Sequence, residues 1–423
     1  MDKLLVHGNS TLSGSVNISG SKNASLPILA AALLTDQPVI IRRVPDVSDT
    51  NYMLQILRAL GADVERSSGT VRIEAKSIIS DAPYDLVRRM RASICVMGPL
   101  LARLGKATVS LPGGCVIGDR PVDLHLKGLQ GLGAEVDMEG GNMHFEAPKG
   151  LQGDSIDMRG KHGPTVLGTD NLMMAAVLAK GTTVIESAAC EPEVVDLANF
   201  LISMGAKIQG AGTRRIVIEG VESLSGTEHT VIPDRIEAGT FMVAAAMVGE
   251  NVTLKRVCEE HLTSTTEALQ QAGHQCEFSA DGKSVVIRRS ENPVGCELIT
   301  SPYPGFATDM QAQFTAMFAT TPGLSVVEDV IFEQRFMHCA ELKRMGADIN
   351  VDGGKAVIRG VEKLSAAPVM ASDLRASAAL VLAALGAEGT TEINRLYHID
   401  RGYEHIDEKI LTLGGNVERV PAD

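Results

Sequence analysis

Tryptophan is absent from this 423-residue chain, and aromatic residues make up only 3% of it. The core must therefore be aliphatic, helped by 17 methionines, and few flat rings remain on which nucleic-acid bases could stack. Positive charge is also short. Lys and Arg number 39 against 52 Asp and Glu, a formal net charge of −13. That excludes the broad basic surface that general nucleic-acid or anionic-membrane binding requires, though not a local cationic pocket for a small anion. No apolar run approaches the roughly 20 residues that span a bilayer, and the opening MDKLLVHGNSTLSG lacks the apolar stretch of a secretory signal. We expect no membrane insertion and no nucleic acid. The seven cysteines are odd in number, scattered, and never spaced as CxxC. This disfavours a disulfide framework or a zinc site and points to a reduced, cytoplasmic protein. Low-complexity tracts are missing and 44% of residues are hydrophobic, so the chain is globular and large enough for two domains or a repeat fold.

A weak repeat is present. ALGADV, GLGAEV, SMGAKI, QAGHQC, RMGADI and TLGGNV each read as a helix end followed by a strand. Their glycines are Gly61, Gly133, Gly205, Gly273, Gly346 and Gly414, separated by 72, 72, 68, 73 and 68 residues on subtraction. Glycine there supplies a left-handed helix cap, and β-favouring residues follow. About half a period earlier comes a second helix, apolar on more than one face: KNASLPILAAALL, RASICVMGPLLARL, GTDNLMMAAVLA, EAGTFMVAAAMV, DMQAQFTAMFA and RASAALVLAAL. Such helices are expected to be buried. The unit reads as strand, helix, strand, helix, strand, strand. Six units of about 70 residues are long for a solenoid, so we expect two domains of three units, 21–232 and 1–20 with 233–423. The opening strands would then complete the C-terminal domain, and the cleft between the domains is the expected ligand site.

Charges gather at the starts of the apolar helices. Lys22, Arg91 and Arg375 each stand at the beginning of one, where a cation has the wrong sign for the helix dipole. One reading is an anion site shared with free helix N–H groups; the other is ordinary surface charge, or an ion pair such as Arg375 with Asp373. Asp309 in FATDM is either an N-cap or a general base. Arg335 in FEQRFMH and Arg401 in HIDRGYE lie in polar runs whose spacing favours solvated surface. His338 and His398 have no partner at metal-ligand spacing. Cys115 sits behind Gly113 and Gly114 and five residues before Arg120. Nearby cations would activate its thiol, yet a small loop residue fits equally well. Val122, Leu126, Leu129 and Leu132 mark a following helix.

Eight stretches together carry a resemblance: SGSKNASLPILAAALL (19–34), APYDLVRRMRAS (82–93), SLPGGCVIGDRPVDLHL (110–126), PDRIEAGTF (233–241), ATDMQAQF (307–314), FEQRFMH (332–338), SDLRAS (372–377) and YHIDRGYE (397–404). Across its whole length the chain resembles the UDP-N-acetylglucosamine enolpyruvyl transferase family. The resemblance implies a two-domain inside-out α/β barrel of six βαβαββ repeats, three per domain. It implies transfer of the enolpyruvyl group of phosphoenolpyruvate to the 3-hydroxyl of UDP-N-acetylglucosamine with release of phosphate, the first committed step of peptidoglycan synthesis. It implies no cofactor and no metal. By motif, Lys22 and Asn23 correspond to phosphoenolpyruvate contacts, Arg120 and Arg401 to phosphate or carboxylate ligands, and Arg91 to a substrate-site residue. Arg120, Pro121, Val122, Asp123 and Leu124 correspond to the uridine-binding run. Asp309 corresponds to the candidate base, Arg335, Asp373 and Arg375 to further site residues, and Ile331 to an apolar nucleotide-sugar contact. Cys115 corresponds to the loop cysteine that acts as general acid, forms an adduct with phosphoenolpyruvate and is alkylated by fosfomycin. The chain departs from several relatives at RGKHGPTVLGTDN (159–171), where Thr165, Val166 and Gly168, with Lys161 or His162, stand in place of a basic residue followed by Ser-Val-Gly.

Overall fold

The structure, a computed structural model, describes residues 2–111, 122–161 and 163–421. Six times the chain runs through an apolar helix, a strand and an amphipathic helix; a short strand precedes five of these runs, and a hairpin follows five, the last closing instead on the opening strand Asp2–His7. In the copy that begins at Glu297–Ile299, that strand pairs in parallel with Leu324–Glu328. Leu324–Glu328 pairs antiparallel with Lys355–Arg359, which in turn takes Asp348–Asp352. The parallel step is possible because a whole helix crosses between the first two strands, while the tight hairpin forces the antiparallel one. Among the described residues five sheets have four strands in this order. A sixth keeps Lys106–Ser110, Asn142–Glu146 and Glu135–Glu139, and a single parallel bridge from Asp81 to Thr108 stands where the first strand would be. A small ribbon joins Arg159–Gly160 to Gly163–Pro164.

The apolar helices are Lys22–Ala31, Met97–Leu104, Val166–Ala176, Arg235–Val248, Gln311–Phe318 and Leu374–Gly386. Their bodies are buried on nearly all sides, as helices without a polar face must be. The outer helices bury one stripe and end on the six repeat glycines. All six have positive φ, from 85° to 104°. The next residue's N–H then reaches the carbonyl five positions back at 3.0–3.1 Å, as from Ala62 to Leu57 and from Ala206 to Leu201. This is the left-handed cap that closes a helix and turns the chain into a strand.

The described residues divide into two compact units, 20–232 and 2–19 with 233–421. Each has its own aliphatic core around three inner helices. The first strand, Asp2–His7, lies between Thr390–Asn394 and Asn416–Pro421 and is antiparallel to both. Leu12–Asn17 pairs in parallel with Gly249–Lys255. The six-repeat reading of the sequence is borne out, although among the described residues one copy has a bridge in place of its first strand and the last copy is completed by Asp2–His7. Among the described residues no helix is long and apolar enough to cross a membrane.

Candidate active site

In the unit that contains 233–421, the polar ends of two inner helices meet around Asp309. Asp373 caps Leu374–Gly386, accepting from the backbone N–H groups of Arg375 at 2.9 Å and Ala376 at 3.1 Å. This fixes Arg375 in the first turn. Its side chain is 1% exposed, and its Nε donates to Asp309 Oδ2 at 3.1 Å. Arg335 Nη1 donates to the other oxygen, Oδ1, at 2.7 Å. One carboxylate thus stands between two buried guanidiniums. Burial works against the charge on Arg375, but the Tyr403 oxygen and Asp309 more than offset it and its pKa rises. For Arg335 the same opposition is won by Asp309 and Asp373.

Around this pair the packing is polar, and the buried Nη1 and Nη2 of Arg375 find no hydrogen-bond acceptor among the described residues. The Arg375 guanidinium lies over the Tyr403 ring, 5.2 Å from its centroid, an arrangement that favours a desolvated cation. Tyr403 shares a hydrogen bond with the Thr240 hydroxyl at 2.9 Å and accepts one from Gln313 Nε2 at 3.3 Å. His338 is buried beside Arg335 and Asp373. Burial, with Arg335 adding, pushes its pKa down to about 4 despite Asp373, so its imidazole is neutral. Arg401 ends the 3-10 turn Leu396–Arg401 and is half-buried. His398 is lowered by burial, then by Arg401, and raised by Asp373, which puts Arg401 in the same neighbourhood. Ile331 is half-buried in a turn whose backbone N–H bonds to Asp329 at 3.0 Å.

The unit 20–232 carries a second set. Lys22 opens its helix behind Ser21, whose hydroxyl accepts from Ala24 N–H at 3.2 Å. Lys22 Nζ lies 3.3 Å from Asp49 Oδ2 on the outer helix Ser48–Ala59. Asn23 beside it is half-buried. Arg91 begins the 3-10 helix Arg91–Val96 and is half-buried. Val122 stands at the N-cap of Asp123–Gly131, with Asp123 exposed and Leu124 half-buried. Behind them Asn171 binds three elements. Its Oδ1 accepts from Gly98 N–H at 3.0 Å, and its Nδ2 donates to the Ile94 carbonyl at 3.0 Å and to His125 Nδ1 at 3.0 Å. A side chain at Gly98 would put its Cβ 2.5 Å from the Asn171 carbonyl, so glycine lets the two helices approach. Burial, with Arg91 adding, pushes the His125 pKa down to about 3, and the neutral ring can accept from Asn171.

Several expectations need correction. Arg335 is not solvated; it is 5% exposed because the segment 335–339 packs inward. The partner of the Arg375 side chain is Asp309 rather than Asp373, whose Oδ1 accepts from the helix's own backbone N–H groups. Asp309 is no N-cap, since it lies inside the 3-10 turn Thr308–Met310. Cys115, Arg120 and Pro121 lie outside the described residues, as does His162. Lys161 is exposed, and Thr165 caps Val166–Ala176 through Gly168 N–H at 3.2 Å. Asp49, Asn171, Thr308, Asp329 and Tyr403 were not singled out from the sequence. Tyr403 and Thr308 fall within quoted motifs, two residues after Arg401 and directly before Asp309, and Asn171 ends the stretch 159–171. The described residues contain no group of three or more His, Cys, Asp or Glu able to hold a metal ion. The arrangement can orient a carboxylate and hold small anions on fixed cations.

Comparison with known proteins gives a consistent likeness. The family described as EPSP synthase (3-phosphoshikimate 1-carboxyvinyltransferase) matches residues 6–410. A UDP-N-acetylglucosamine 1-carboxyvinyltransferase from Akkermansia muciniphila is 71% identical over 423 residues, covering 100% of both chains. One from Methylacidiphilum infernorum is 58% identical over 99% of each. Among solved structures, the enolpyruvyl transferase NikO from Streptomyces tendae superposes with a TM-score of 0.89 at 25% identity, over 100% of this chain and 99% of that one.

Proposed function

This chain belongs to the EPSP synthase family, among its UDP-N-acetylglucosamine 1-carboxyvinyltransferases, and we propose that it transfers the enolpyruvyl group of phosphoenolpyruvate to the 3-hydroxyl of UDP-N-acetylglucosamine, releasing phosphate. This is the first committed step of peptidoglycan synthesis. The observation that carries the reading is the full-length identity of 71% to a relative of that name.

The chemistry fits the residue types. Protonating the methylene carbon of the enol phosphate makes C2 electrophilic, and the 3-hydroxyl adds there as it loses its proton. The tetrahedral intermediate then expels phosphate while the methyl group gives up a proton. Addition needs one acid and one base, and elimination uses them in the reverse sense. Cys115 is assigned as the acid at the methylene, as the site of the phosphoenolpyruvate adduct, and as the target of fosfomycin. Asp309 is assigned as the base. Lys22 and Asn23 contact phosphoenolpyruvate, and Arg120 and Arg401 take its anionic groups. Arg91, Arg335, Asp373 and Arg375 complete the substrate contacts. Pro121, Val122, Asp123 and Leu124, with Ile331, hold the nucleotide sugar. The two guanidiniums on Asp309 supply orientation, but they also oppose its protonation. An anionic substrate that draws one guanidinium to itself frees the carboxylate to accept the hydroxyl proton. The six cysteines among the described residues are unpaired, which suits a cytoplasmic location.

The deciding experiment is phosphate release from phosphoenolpyruvate with each acceptor in turn. Release is expected with UDP-N-acetylglucosamine and not without it. Release only with shikimate 3-phosphate would overturn the reading.

A further inference from the structure

We propose that Asp329 is a positioning residue for the reaction, setting Arg335 against Asp309 by two routes while holding the turn that carries Ile331. The proposal rests on the functional reading above for the assay it uses. Asp329 is fully buried just beyond the strand Leu324–Glu328. Its carboxylate accepts four hydrogen bonds, all from neutral donors. Oδ1 takes the Thr300 hydroxyl at 2.9 Å and the backbone N–H groups of Ile331 at 3.0 Å and Phe332 at 2.8 Å. Oδ2 takes the Thr308 hydroxyl at 2.6 Å. A buried carboxylate is costly unless its lone pairs are met, and here the donors that meet them come from three separate segments.

The Thr308 bond is the first route. A hydroxyl has one proton, and Thr308 commits it to Asp329, so the face it turns elsewhere is an acceptor. Arg335 Nη1 donates to that oxygen at 3.2 Å and to Asp309 Oδ1 at 2.7 Å. Asp329 therefore fixes the sense of the Thr308 hydroxyl, and the hydroxyl fixes the arm of Arg335 that grips Asp309. The second route runs through Phe332. Its backbone is tied to Asp329, and its ring lies 5.9 Å from the Arg335 guanidinium. The neighbouring N–H, that of Ile331, binds the same Asp329 oxygen.

The test separates the routes. Thr308→Val removes the hydroxyl and keeps the shape, while Thr308→Ser keeps the hydroxyl. We expect T308V to lower kcat about tenfold or more, as displaced catalytic groups do, with KM for UDP-N-acetylglucosamine within about twofold. T308S should stay near wild-type kcat. Asp329→Asn places an amide N–H₂ or a weaker acceptor against donors, and should both lower kcat and raise KM for the nucleotide sugar. T308V matching T308S in kcat, or T308V losing thermal stability with kcat unchanged, would overturn the proposal. If D329N fails to fold, the two Thr308 variants still decide. If the wild type releases phosphate only with shikimate 3-phosphate, the functional reading fails, and the same comparison run with that acceptor still tests the positioning.

Discussion

Replacing Asp309 by alanine should damage stability as well as catalysis, and the two losses can be separated. The side chain is bonded to Arg335 at 2.7 Å and Arg375 at 3.1 Å, and these are 5% and 1% exposed. Asp309→Ala leaves two buried cations without their shared anion. Removing one partner of a buried pair costs about 3–5 kcal/mol. The Arg375 contact with the Tyr403 ring and the Arg335 contact with the Thr308 oxygen are present with or without Asp309 and offset none of this cost. A net loss of about 4 kcal/mol is expected, a large share of the 5–15 kcal/mol typical of folded proteins. Asp309→Asn retains an oxygen for one guanidinium and should lose about half as much. Urea unfolding measures both. Turnover must be measured well below the lowered unfolding temperature, where a lost base costs about 10²–10⁴ in kcat while nucleotide-sugar binding largely survives. An unfolding free energy for D309A within about 1 kcal/mol of wild type would refute the claim that Asp309 compensates both arginines. Near-normal turnover would refute its role as base.

Asn171→Leu orphans the Gly98 N–H, the Ile94 carbonyl and His125 Nδ1 inside the core; at about 1–3 kcal/mol for each buried group, guanidinium unfolding should show a loss of about 4 kcal/mol, and a loss below about 1 kcal/mol would contradict it. Glu237 is buried against Lys409, and burial, against the pull of Lys409, raises its pKa to about 7. Between its ordinary 4.5 and about 7 the unfolded chain has released the proton that the folded chain keeps, so stability falls as pH rises through that window. Glu237→Gln should therefore gain on wild type in melting temperature from pH 5 to pH 8, and a constant difference would count against the assignment. Fosfomycin should alkylate Cys115, read by mass spectrometry of the labelled peptide; labelling of a different cysteine with loss of activity would reassign the acid.

The repeat was legible because it is written locally. Gly61 and its five counterparts must adopt positive φ at the end of a one-sided helix, and that demand shows in six residues of sequence. The apolar helices were legible for the same reason, since a helix without a polar face has to be covered. The charged cluster was not legible by spacing. Asp309 meets Arg335 and Arg375 from 26 and 66 positions away, and no periodicity links them. Arg335 stands in a run as polar as many exposed loops, and only the inward packing of 335–339 separates it from them. Asp329 was invisible because what marks it is the direction of four neutral donors. Resemblance supplied candidate site residues by position, but not their mutual bonding.

The charges at the inner helix starts follow from how little room the fold leaves for them. A helix buried along its body carries an ionisable side chain most readily at its ends, and three of the six do so in the first turn with a counter-charge from another element. Lys22 and Arg375 oppose the dipole of their own helices and are met by Asp49 and Asp309. Glu237 suits its dipole and is met by Lys409. In each case the counter-charge comes from a different element, so the pair also ties that element to the inner helix. In helix Leu374–Gly386 the arginine shares its carboxylate with a second cation, Arg335, while Lys22 meets Asp49 from the outer helix of its own repeat. A repeat that places a charged side chain in the first turn of several inner helices needs only local divergence in partners to give those copies different electrostatic surroundings. Chemistry can therefore be specified at the helix starts without disturbing the aliphatic core that the helix bodies build.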